Sequence, residues 1–291
     1  MSVQIQILSD LHLEIERPNA APGQEFYHFD VPARAEILAL LGDIGCTVHE
    51  QLFDWLKVQL RQFKTVIFLS GNHEPYRTSL VSVFAVPHSS SRFSHITSSA
   101  ASQAESEARL RAFADDVASD PSISGEFVYL NRTRYDLSPT LTVLGCTLWA
   151  ALNLEDLDIL SWALQDFRRI DGFDPTAYIV QHRQDLTWLN ETVQSIARDE
   201  PHRCIVVFTH HAPTVLGTGD PKFDGQPTNS AFATELSGEP CWKPGTISLW
   251  AFGHTHWCCD FERNGVRVYS NMRGSGEGAK GFDPTKVVTI P

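Results

Sequence analysis

Side chains able to bind metal ions gather at five points of this chain, each where a short apolar run stops. Asp10-Leu11-His12 follows the run 3–8, Gly42-Asp43 follows 36–41, and Gly71-Asn72-His73-Glu74 follows 65–69. Thr209-His210-His211 follows 204–208, and Gly253-His254-Thr255-His256 follows 247–252. Carboxylate and amide oxygens mixed with imidazole nitrogens suit Mn, Fe, Zn or Co, and suit calcium or copper–thiolate sites poorly. The donors outnumber what one tetrahedral ion uses, so two ions sharing a carboxylate is the economical reading. Two ions about 3.5–4 Å apart can clamp both oxygens of an in-line phosphoryl displacement and generate hydroxide near neutral pH. Taken singly the segments are weak, because Asp and Gly-Asp at a strand end are ordinary turn chemistry and Asn72 could cap a helix. Alternate histidines at 254 and 256 are more specific. The signal lies in the coincidence of all five.

The elements that must carry these groups follow from periodicity. Alternating or continuous apolar runs predict strands at 3–8, 36–41, 65–69, 127–130, 133–136, 141–144, 204–208, 247–252, 266–269 and 286–290. Apolar residues at helical spacing predict helices over 51–63 and 178–197, and helix-favouring composition predicts another over 101–118. The order strand, helix, strand with short turns points to βαβ units and a largely parallel sheet, hence an α/β class. In such sheets the carboxyl ends of the strands form the ligand crevice. One domain over 1–291 is expected, with irregular loop insertions near 76–101 and 213–245, where Ser, Pro, Gly and Asn accumulate.

Composition narrows the partners. A net charge of −12 repels polyanions, so long nucleic acid and anionic membranes are not expected partners. A small anionic substrate would then need a local positive centre, which metal ions could supply. The 6 cysteines show no zinc-ribbon spacing, so free thiols in a reducing compartment are expected. The first residues enter a strand pattern at once, leaving no room for a signal peptide, and no apolar run approaches the ~18 residues of a membrane span. A cytoplasmic location is the expectation.

The ordered set D-x-H, G-D, G-N-H-E, T-H-H and G-H-T-H, spanning Asp10 to His256, resembles the calcineurin-like metallophosphoesterase superfamily. The resemblance implies a four-layer α/β/β/α sandwich with two central mixed β-sheets and a dinuclear site at the strand ends. It implies Asp10, His12 and His256 on one ion, Asn72, His210 and His254 on the other, and Asp43 bridging. Two divalent or trivalent ions are implied as cofactors, with Mn, Fe or Zn first in line. His73 matches the non-ligand histidine that protonates the leaving oxygen while metal-bound hydroxide attacks phosphorus. The implied function is hydrolysis of a small phosphomonoester or phosphodiester. One departure stands out. The protein-phosphatase branch carries a second Asp in G-D-x-V-D-R-G, whereas Cys46 occupies that place here. This argues against a phosphoprotein phosphatase and leaves the partner of His73 open among Glu74, a backbone carbonyl and the substrate. His211 and Arg273 are expected to touch substrate, the latter because a guanidinium fork fits a phosphate. The alternatives are hydrolysis of a non-phosphate bond and a non-catalytic scaffold, and the intact donor set speaks against the scaffold.

Overall fold

The computed structural model describes residues 2–15, 26–76, 102–275 and 278–290. Strands β1 (Val3–Leu8), β2 (Ile37–Leu41), β3 (Thr65–Leu69) and β4 (Glu126–Leu130) run parallel and adjacent. The last strand, β11 (Val287–Ile290), adds antiparallel to β1, so the first sheet has the order β11-β1-β2-β3-β4. The second sheet holds β5 (Thr133–Ser138), β6 (Leu141–Cys146), β7 (Cys204–Thr209), β8 (Ile247–Phe252), β9 (Cys259–Arg263) and β10 (Val266–Ser270). Its order is β5-β6-β7-β8-β10-β9, parallel in the middle and antiparallel at both edges.

Period-two alternation turns these sheets into four layers. In β2, Leu38 and Leu40 pack outward on Leu52 and Leu56 of α1 (Glu50–Leu60), while Ala39 and Leu41 face the second sheet. Residues Leu110, Phe113 and Val117 of α2 (Gln103–Ser119) complete that outer layer. In β7, Ile205 and Val207 pack on Leu189 and Val193 of α5 (Pro175–Asp199), while Val206 and Phe208 point inward. Strands buried on both faces read as continuous apolar runs, which is why the sequence pattern locates them. The result is the expected α/β/β/α sandwich with two mixed sheets. Side chains buried between the sheets, such as Phe208, each contribute about 1.5–3 kcal/mol.

Three elements are absent from the periodicity. The edge strand β9 has no fully buried residue, and α3 (Leu157–Ala163) and α4 (Asp166–Arg169) are too short to show a stripe. Helix α2 is preceded by its capping residue Ser102, whose hydroxyl and Glu105 form a reciprocal capping box. Of the expected loop near 76–101, residues 77–101 lie outside the described residues. The segment 213–245 carries short 3₁₀ turns at Pro221–Phe223 and Pro227–Ala231 and isolated bridges from Ala233 to Ala212 and from Pro244 to Ile247.

Candidate metal centre

The five donor segments emerge from the carboxyl ends of five parallel strands. Asp10, Asp43 and Asn72 follow β1, β2 and β3, neighbours in the first sheet, while His210 and His254 follow β7 and β8, neighbours in the second. The sheets are tied together at this end. His210 Nδ1 lies 2.9 Å from the Leu41 carbonyl, and His254 N donates to both Asp10 carboxylate oxygens at 3.0 Å.

The chain must turn sharply to aim these side chains inward. Asp10, His12, Asp43, His254 and His256 all adopt left-handed backbone, with φ of 53°, 46°, 54°, 73° and 51°. Each such non-glycine residue costs on the order of 1–2 kcal/mol, and clustering of that strain is a mark of functional sites. Glycine makes the approach possible at Gly42 and Gly71. A Cβ on Gly42 would lie 2.5 Å from the Gly71 nitrogen and from His210 Nδ1, and one on Gly71 would lie 2.2 Å from Asp43 Oδ1.

Three overlapping groups result. Asp10, His12 and His256 form one, Asp43, His210 and His254 another, and His12, Asp43 and His73 a third between them. His12 Nε2 and His256 Nε2 face each other at 2.9 Å, and His256 Nε2 lies 3.4 Å from Asp10 Oδ1. Only one of two facing nitrogens can hold the proton between them, so at least one lone pair points inward, as a cation requires. On the other side, His210 Nε2 lies 3.1 Å from Asn72 Oδ1 and 3.4 Å from Asp43 Oδ1. Asp43 faces both sides, because its Oδ2 is 3.8 Å from His12 Nε2 and 3.8 Å from His73 Nε2. His210 Nδ1 is committed to the Leu41 carbonyl, which leaves Nε2 aimed at the site. The donor set therefore fits two cations with a shared carboxylate.

Electrostatics agree with that fit. Burial would raise the pKa of Asp43, yet the surrounding histidines hold it well below the carboxylate range. Burial is the largest single effect and works against protonated His210 and His73. Asp43 with Asp10 at His210, and Asp43 with Glu14 at His73, together exceed it and lift the two to about 9 and about 10. His254 is driven well below its ordinary value, by burial first and then by the neighbouring histidines. An anionic pocket that collects protons in this way is one that a cation can take over.

Sequence reasoning missed the groups that hold the donors. Glu14, only 1% exposed, places Oε1 2.8 Å from His73 Nδ1 and 3.2 Å from His12 Nδ1. It is pinned to about 2 because these rings override the effect of burial. Glu14 therefore orients His73, and Glu74 does not. The Glu74 carboxylate instead accepts from the backbone nitrogens of Asp43, Ile44 and Gly71, lacing the β2 and β3 turns together. The available signal was Asp10, His12 and Glu14 alternating with buried Leu11 and Leu13. Asp166, at the start of α4, accepts from Asn72 Nδ2 and Tyr76 OH, each at 2.9 Å, so the Asn72 oxygen turns toward His210. Nothing in the local sequence assigns Asp166 this contact with Asn72, 94 residues earlier in the chain.

The two side chains expected to touch substrate, His211 and Arg273, are both buried. His211 is fully enclosed, with Nδ1 3.4 Å from the Thr147 carbonyl, Nε2 3.4 Å from Tyr178 OH and its ring 4.2 Å from that of His254. It packs behind His254, with its ring tilted against that of Trp149 at a centroid distance of 5.3 Å. Arg273 is buried as well; it donates to the Leu11 carbonyl at 3.3 Å and lies over the Phe29 ring, bracing the Asp10–His12 segment. The six cysteines are free thiols, and Cys258 packs against the Met272 backbone.

Residues 4–258 match the calcineurin-like phosphoesterase family. The chain belongs to that family. Its members are metal-dependent phosphoesterases, and this phosphoesterase carries aspartate and histidine clusters able to hold such ions. It is 24% identical to an uncharacterized protein of Acanthamoeba polyphaga mimivirus over 302 aligned residues, covering 98% of this chain and 96% of that protein. In fold it is similar to the phosphopantetheinyl hydrolase of Mycobacterium tuberculosis, with a TM-score of 0.59 at 16% identity over 94% of this chain and 90% of that one. A putative 5′-nucleotidase from Staphylococcus aureus aligns with a TM-score of 0.48 at 13% identity, over 93% of this chain and 48% of that one. Among the described residues no helix is long and apolar enough to cross a membrane.

Proposed function

We propose that this phosphoesterase hydrolyses small phosphate esters at a two-cation centre. Asp10, His12 and His256 would hold one ion, Asn72, His210 and His254 the other, and Asp43 both. The observation that carries this reading is the position of Asp43, whose two oxygens face histidines on opposite sides. When bound, the cations would neutralise charge on the phosphoryl oxygens and lower the pKa of attacking water.

The chain's own contribution is the proton. His73 Nδ1 engages Glu14, so a proton at Nε2, the nitrogen nearer Asp43 and the site, exists only on the imidazolium. Glu14 and Asp43 favour that cation. His73 is therefore the general acid that protonates the departing oxygen, with Glu14 in the place that Cys46 leaves vacant. Asp166 and Tyr76 keep the Asn72 oxygen turned inward, and Arg273 braces the first donor segment. The acidic protein offers no basic stripe for a polymer, which supports a small substrate.

The test is metal analysis with turnover on the full chain. Protein loaded with Mn²⁺ should retain two equivalents and hydrolyse p-nitrophenyl phosphate or its bis ester, and Asp43→Asn should lose both properties. One equivalent of metal, or no turnover with Mn, Fe, Zn or Co, refutes the proposal.

A further inference from the structure

A cavity of about 330 Å³ opens beside the His254-Thr255-His256 turn, walled by the segment 213–245. Its apolar lining is Val215, Phe223, Phe232 and Ala233. The wall starts at the candidate centre itself, since the Phe232 ring stacks on His254 with centroids 4.8 Å apart and planes at 27°. Val215, Phe223 and Phe232 remain 41%, 55% and 38% exposed. Large apolar side chains left open to water at the edge of a reactive centre are what a ligand covers. The charged carboxylates on the lining are Asp220 and Asp224, and no lysine or arginine joins them there among the described residues. Lys222 is turned to Asp220 at 2.6 Å and lies 4.6 Å from the centre of the Phe223 ring.

We propose that this cavity receives the organic half of the ester, and that it selects an uncharged, flat, apolar leaving group over a polyanionic one. The inference rests on the phosphoesterase reading above and adds the substrate class. In the reaction the P–O bond to the leaving oxygen breaks and a water oxygen bonds to phosphorus. One proton of that water is lost to the medium, and the leaving oxygen takes the proton held by His73 and departs as the neutral alcohol. An apolar alcohol then sits against Phe223 and Phe232. A polyphosphate tail would instead meet the carboxylates of Asp220 and Asp224, of which only the first is held by Lys222 among the described residues.

Two measurements on the full chain test this. The first is binding of 1-naphthol, followed by its fluorescence, to protein without added metal. The second is the ratio of kcat/KM for 1-naphthyl phosphate to that for glycerol 2-phosphate, with Mn²⁺ present. The wild-type chain should bind 1-naphthol and prefer the naphthyl ester. Phe223→Ala should weaken naphthol binding and reduce the preference, each by about tenfold. Leu216→Ala, adjacent to the cavity but not on its lining, should keep both. Asp224→Lys should improve turnover of adenosine triphosphate relative to glycerol 2-phosphate. Turnover of both esters with a ratio unmoved by Phe223→Ala overturns the subsite and leaves the phosphoesterase reading intact. Naphthol binding that depends on Phe223, without turnover of any ester, upholds the subsite and overturns that reading.

Discussion

Replacing Glu14 by glutamine perturbs the proton-holding device while leaving every candidate metal ligand in place, although Glu14 Oε1 also reaches His12 Nδ1 at 3.2 Å. Glutamine keeps the shape and an accepting oxygen within reach of His73 Nδ1, now at 2.8 Å, but removes the charge. A hydrogen bond to a charged group contributes about 1.5–3 kcal/mol against about 1 kcal/mol for a neutral one. The imidazolium of His73 therefore loses about 1–2 kcal/mol of support, equivalent to a pKa drop of about one unit. Glu14 raises the pKa of His73, so its loss moves the alkaline limb of the pH–rate profile toward lower pH. The rate loss should track the need for leaving-group protonation. With saturating Mn²⁺, hydrolysis of an alkyl phosphate should fall by about 10–30-fold. Hydrolysis of p-nitrophenyl phosphate, whose leaving group departs without a proton, should fall by less than about threefold. Steady-state kinetics across pH 6–10 with both esters decides the matter. Equal losses on the two esters, or an alkaline limb that stays in place, refute the role assigned to Glu14 and to His73.

Three further outcomes follow from the same geometry. His73 and His210 have pKa values raised above 6.5, so their protonated rings stabilise the cation-free fold below that pH, and the contribution is lost as pH climbs through about 9 and about 10. Differential scanning calorimetry of metal-free protein should show Tm falling between pH 6.5 and 9.5 by at least about 3 °C, with the stabilisation by excess Mn²⁺ growing over the same range. Gly42→Ala forces a Cβ against the Gly71 nitrogen and His210 Nδ1 at a φ of 84°, and denaturant titration should report a loss of about 2–4 kcal/mol. Asp166→Ala leaves Asn72 Nδ2 and Tyr76 OH without their shared acceptor, so competition with a chelator should show affinity for the cation assigned to Asn72, His210 and His254 reduced by about 10–100-fold, with the other held as before.

The amino-acid sequence alone determined the strands of the two sheet centres and the donors at their ends. A strand buried on both faces must be apolar throughout, and the polar side chains that interrupt it at Asp10, Asp43, Asn72, His210 and His254 stand out against that background. Edge strand β9 and the short α3 and α4 escaped notice because a half-exposed or very short element has no such contrast. Tertiary structure alone decided which way each donor points. The left-handed turns at five of the candidate ligands depend on close contacts across the two sheets, between Gly42, Gly71 and His210 above all. It also decided the partners. His73 meets Glu14 and Asn72 meets Asp166, across 59 and 94 residues of chain. Periodicity reports which face of an element is buried, because burial repeats along the chain. Hydrogen bonds between side chains on different elements are single events fixed by how the layers dock, and they leave no repeat to read.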